Sequence, residues 1–241
     1  HINQEFALYG EAQVHSQHVT NDFDDREIKI GASYSLPNKD AFFIGYGNYK
    51  TYSFPGNFKK PALVNENRIW EQFTLNNTIS RVKIEQRYRI EQRWLNGKYL
   101  NRFRYRLAAI IPVNNSAMID KTFFIGAFDE VFFTNKIPYF LRNRISAGAG
   151  YKFNRLLTVQ AGFIRQFDYR TNNNSTGKNS IITSLVFNAG NSKKKVHSKN
   201  SNWSVSLFVS LLILMPAFFN MLRNSFCNMV VFCNCSRRSC M

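Results

Sequence analysis

A chain of 241 residues that is 44% hydrophobic, 15% aromatic and 20% charged is too apolar and too rich in rings to be disordered. At this length a single all-β barrel or sandwich fits as well as two smaller domains. Lys and Arg number 32 against 15 Asp and Glu, a net charge of +17, so nucleic acid, anionic lipid and acidic ligands all stay in play, and charge does not choose among them.

Alternation of period two runs through the first 190 residues and predicts ten strands, near Glu5 to His15, Glu27 to Leu36, Ala41 to Tyr52, Arg68 to Asn76, Arg81 to Trp94, Asn101 to Ile111, Thr122 to Phe133, Arg142 to Phe153, Leu157 to Arg170 and Ser180 to Ala189. The clearest is RVKIEQRYRIEQRW. Val82, Ile84, Tyr88, Ile90 and Trp94 fall on one face with Gln86 and Gln92, and every charge falls on the other. A helix would scatter those charges around its circumference. Arg102, Arg104 and Arg106 repeat the pattern against Phe103, Tyr105 and Leu107.

The connections add a second pattern. The first, third and ninth are long and polar, while the second, fourth and eighth are short, an alternation typical of outer-membrane barrels. The sixth, PVNNSAMIDK, breaks it. Strands of this length suit a tilted membrane crossing, and Tyr34, Tyr52, Trp70, Trp94, Tyr99, Tyr151 and Tyr169 fall near strand ends, where interfacial girdles sit. The expected fold is an all-β, antiparallel up-and-down transmembrane barrel of about 10–12 strands over residues 1–190.

The blocks RIWEQ, RVKIEQRYRIEQRW, RFRYRLAAIIP, FIGAFDEVFF, LRNRISAGAGYKF and LLTVQAGFIRQF, in that order, resemble the domain of unknown function 2490 family, predicted outer-membrane β-barrel proteins of Gram-negative bacteria. The resemblance covers roughly Glu5 to Gly190. It implies an outer-membrane location, with lipid and lipopolysaccharide as surroundings, and transfers no catalytic residue. Family members usually carry another Trp-containing strand ahead of this start, which suggests a truncated N-terminus.

In a membrane barrel the charged face lines the lumen, which assigns Arg81, Lys83, Glu85, Arg87, Arg89, Glu91, Arg93, Arg102, Arg104, Arg106, Glu130 and Arg144 to the interior. Interleaved signs favour a closed lumen filled with ion pairs; the alternative is a small anion-preferring pore, and a second alternative is a soluble lipocalin-like carrier. No enzyme activity, metal or cofactor is expected. His15, His18, Asp22, Asp24 and Asp25 read as a solvated loop without a nucleophile, and HSQH is too poor in ligands for zinc. A nucleic-acid face would gather its cations with aromatics on one accessible surface, whereas here they alternate over long strands, so nucleic acid is not an expected partner and small anions are.

Residues 191–241 are different material: seven basic residues, no acid, and all four cysteines (Cys227, Cys233, Cys235, Cys240). Trp203 to Leu222 carries no charge and reads by hydropathy as a membrane helix. Two readings stay open for this non-barrel extension, a helical anchor or an aberrant translated tail, and either makes it dispensable for the barrel.

Overall fold

A computed structural model describes residues 5–16, 23–53, 58–171, 175–190 and 203–214. Among these every regular element is a strand: β1 (Glu5–Ser16), β2 (Phe23–Ser35), β3 (Ala41–Tyr52), β4 (Ala62–Ile79), β5 (Val82–Leu95), β6 (Lys98–Pro112), β7 (Thr122–Thr134), β8 (Phe140–Lys152), β9 (Leu157–Tyr169), β10 (Ser175–Gly190) and β11 (Trp203–Leu214). β1 to β10 form one antiparallel up-and-down sheet in which each strand bonds to its sequence neighbours. β11 pairs antiparallel with β10 and parallel with β1, and this closes the ring. The parallel seam follows from strand parity, because in an up-and-down sheet an eleventh strand runs in the same direction as the first.

Local chemistry sets the tight turns. Asn96 and Gly97, both at positive φ (46° and 80°), join β5 to β6. Positive φ at both central residues is what a type I′ hairpin requires, and Asn-Gly meets that requirement best. Ser80, at φ 54°, opens the equally short link between β4 and β5.

The two faces of the sheet are sorted by polarity in the sense opposite to a soluble sandwich. Ile30, Ile44 and Phe123 point outward and are 57–58% exposed, whereas Glu66, Glu91 and Glu130 point inward and are 1–3% exposed. Outward rings gather near both ends of the strands. Phe6 with Tyr34, Phe42 with Phe73 and Phe123 with Tyr151 (centroids 4.9, 4.6 and 4.3 Å apart) lie toward the β2–β3 turn. Trp94 with Tyr99 and Phe140 with Tyr169 (5.6 and 4.7 Å) lie toward the other end.

Several expectations need correction. Trp203–Leu214 is a strand where hydropathy suggested a helix, and no helix among the described residues is long and apolar enough to cross a membrane. Mean apolarity does not separate a buried helix from a strand, and Val205, Val209 and Ile213 favour the latter. The free edges of β1 and β10 supply its partners. The rest of the extension, including the four cysteines, lies outside the described residues.

Loop alternation is not clean. Asn96 and Gly97 make a two-residue turn at the end expected to carry long loops, and the β6–β7 link at the other end spans residues 113–121. β2, β4 and β10 begin earlier than expected, inside stretches that read as loops, because polar residues there continue the ladder. Asp24 and Asp25 therefore sit on β2, and His15 is a buried residue of β1, while His18 and Asp22 lie outside the described residues. Trp70, taken for a girdle residue at a strand start, is mid-strand and faces inward at 1% exposure.

Candidate functional site

The inward face of β4 to β8 carries a continuous network of guanidinium and carboxylate groups. Even-numbered residues of β4 and odd-numbered residues of β5 share this face, since Glu66 to Thr74 pair in register with Leu95 to Arg87. β6 contributes Arg102, Arg104 and Arg106, β7 Glu130 and β8 Arg142 and Arg144.

Glu91 accepts hydrogen bonds from Arg102 and, at 2.6 Å, from Arg104 Nη1, with Arg89 Nη1 at 3.6 Å. Arg104 also reaches Glu130 through Nη2 at 2.8 Å, and Arg87 bonds the same carboxylate. Glu66 ties Arg68, at 2.6 Å, to Arg93. Glu85 holds Arg106, and Asp168 holds Arg142. Directly opposed like charges, Arg87 with Arg106 and Arg89 with Arg104, are repulsive in a bare ladder; Glu91 of β5 serves both Arg89 and Arg104, while Glu130 of β7 takes Arg87 and Glu85 of β5 takes Arg106.

Aromatic rings carry the guanidinium planes. Four of these surround Phe132, with Arg104 closest at 4.6 Å from its centroid, then Arg144, Arg102 and Arg142 at 5.1, 5.4 and 5.7 Å. Arg68 lies 3.5 Å over Tyr49, and Arg89 lies 5.2 Å over Trp70. Such stacking leaves the guanidinium edge available to carboxylates. Trp70 lies flat on the wall because residue 45 is glycine, whose missing Cβ would sit 2.3 Å from the indole Cζ2.

The opposite wall has different chemistry. Lys29 on β2 is 2.6 Å from Glu27 and 3.5 Å from Glu11, and His15 lies 3.3 Å from Glu27 and 3.5 Å from Asp25. β8 to β10 bring mostly small or uncharged groups inward, including Ser146, Gly148, Gly162, Gln166, Ser180 and Ser184. A cavity of about 840 Å³ remains between these walls.

Of the residues assigned to the interior from sequence, Glu85, Arg87, Arg89, Arg102, Arg104, Arg106, Glu130 and Arg144 line this cavity. Glu91 is sealed behind Arg102 and Arg104, and Arg93 packs on Glu66. Arg81 is placed otherwise: it is exposed in the β4–β5 turn, because β5 begins only at Val82. Lys83, at the strand end, keeps a 42% exposed side chain 4.0 Å from Glu85. Sequence reasoning missed Glu66, Arg68, Arg142, Asp168 and the Glu11, Glu27, Lys29 group. Period two carried into ALVNENR would have found Glu66. The others lay within predicted strands and lacked only the long runs of charge that drew attention to β5 and β6.

A family model described as protein of unknown function (DUF2490) matches residues 1–177. No curated protein and no solved structure matches the chain.

Proposed function

We propose, for a chain that belongs to the DUF2490 family, that it is an outer-membrane barrel of a Gram-negative bacterium whose interior is braced by arginine–glutamate pairs. The outward Ile, Phe and Tyr side chains carry this reading. A soluble carrier of lipocalin type keeps its apolar side chains within the barrel and presents charge to water, whereas here the inward face holds the ion pairs and the outward face is mainly apolar between two belts of rings, with Glu71, Asp129 and Arg165 as charged exceptions. In lipid that outer band meets hydrocarbon, and the closed ring gives each described strand a partner on both sides. The proposed surroundings are outer-membrane lipid and lipopolysaccharide, and the proposed role is structural, not enzymatic.

The three tryptophans supply the test. Trp94 is an outward residue of the belt opposite the β2–β3 turn, 38% exposed, and Trp70 faces the interior. In a Trp203→Phe background, reconstituted into vesicles of lipid brominated near the headgroup, emission from Trp94 should be quenched and emission from Trp70 spared. Replacing Trp94 with Phe should remove the quenchable fraction. A protein that stays soluble without detergent, or whose Trp94 ignores brominated lipid, sinks the membrane assignment.

A further inference from the structure

We propose that the inner face of β8 to β10 is a binding site for a small oxyanion, a carboxylate or phosphate group, received by Arg144. The inference deepens the barrel reading by giving its interior a ligand class, and it rests on the inward direction of this face and not on membrane insertion.

Arg144 differs from its neighbours. Arg68, Arg87, Arg89, Arg93, Arg102, Arg104, Arg106 and Arg142 each have a carboxylate within ion-pair distance. Arg144 has none among the described residues. Glu130 stands directly across from it in register, yet turns its carboxylate to Arg87 and Arg104. The one hydrogen bond of Arg144 runs from Nε to Gln166 Oε1 at 2.7 Å, which anchors the guanidinium from behind. Its terminal nitrogens have no hydrogen-bond partner among the described residues, and the residue lines the cavity. Two unengaged, coplanar N–H groups on a fixed guanidinium match a carboxylate or phosphate edge.

The surroundings suit that guest. Arg144, Gln166 and Lys178 form one cross-strand row over β8, β9 and β10, so a second cation flanks the same place. Lys178 is only loosely held, 3.8 Å from Asp168. Ser180, 4% exposed and lining the cavity, makes no side-chain hydrogen bond among the described residues and offers a hydroxyl donor one step inward. Across the lumen Lys29, at 2.6 Å, neutralises much of the charge of Glu27, so the facing wall repels an anion only weakly. An unpaired cation inside a barrel is costly, and a bound oxyanion removes that cost.

The test uses the full chain folded in detergent and titrated at constant ionic strength with inorganic phosphate, with acetate, and with chloride as control. Heat-dependent gel mobility checks closure of every variant. Wild type should bind phosphate or acetate saturably, with a raised unfolding temperature that chloride does not reproduce. Arg144→Gln should weaken that binding roughly ten-fold or more, the loss expected for a charge-assisted hydrogen-bond pair. Arg165→Gln removes an equal charge from the outer face and should leave binding unchanged. If Arg144→Gln fails to close, Arg144→Lys decides, since it keeps the charge and loses the fork: weakened binding supports the site, unchanged binding overturns it. A well-folded wild type without saturable binding also overturns it. Failure of the membrane reading shows separately, as solubility without detergent, and leaves this titration interpretable.

Discussion

Arg104 serves two carboxylates at once, Glu91 at 2.6 Å and Glu130 at 2.8 Å, and both carboxylates are almost wholly withdrawn from water. Burial of charge is costly, and each such group is tolerable only while every partner is in place. Truncating Arg104 to Gln should therefore do more damage than truncating Arg93, whose partner Glu66 keeps Arg68. Removal of a partner from a fully buried pair costs about 3–5 kcal/mol, and less where water reaches the site. We expect Arg104→Gln to lower the temperature at which the folded, fast-migrating gel form is lost, and Arg93→Gln to lower it less. Because Arg87 and Arg104 share Glu130, the double variant should be non-additive by about 0.5–3 kcal/mol. Strictly additive losses would show that the network is drawn wrongly.

At the scale of elements, β5 and β6 were the most legible because strict alternation leaves its mark in sequence, although β5 begins at Val82 instead of Arg81 and β6 at Lys98 instead of Asn101. Strand starts were less legible. Asn65, Glu66 and Asn67 look like loop residues, and only the ladder with β3 and β5 makes them strand. β11 was illegible for another reason: a chargeless apolar run satisfies helix and strand alike, and the choice is made by the edges available for pairing. Those edges also bear on whether the extension is needed. In a ten-stranded up-and-down sheet the first and last strands are antiparallel, the relation found in even-numbered bacterial barrels. A chain stopped at Gly190 should accordingly reseal β10 against β1 and keep its heat-dependent gel shift. If only the full-length chain shows the shift, β11 is a required stave, and residues 203–214 belong to the barrel domain in function as well as position.

For the molecule as a whole, the question is whether the interior conducts. The β4–β8 wall carries guanidiniums stacked on Tyr49, Trp70 and Phe132 and laced to Glu66, Glu91 and Glu130, around a cavity lined by residues of β1 to β10. Ions crossing such a space must strip water beside charges already satisfied by one another, so we expect no steady conductance from the wild-type barrel in a planar bilayer. Signs are nevertheless unequal. The charged groups that β6 and β8 present inward are all cations, and the four carboxylates Glu85, Glu91, Glu130 and Asp168 serve six arginines, Arg87 and Arg89 of β5 included. Any path opened by loosening the network should therefore select anions, because the fixed positive excess raises their local concentration. Glu130→Gln releases Arg87, leaves Arg104 held by Glu91 alone, and is the substitution most suited to open one. Brief anion-selective events in that variant, against a silent wild type, are the expected record. Steady cation-selective current from either protein would mean that the arginine face does not line the route, and the assignment of that face to the lumen would fall with it.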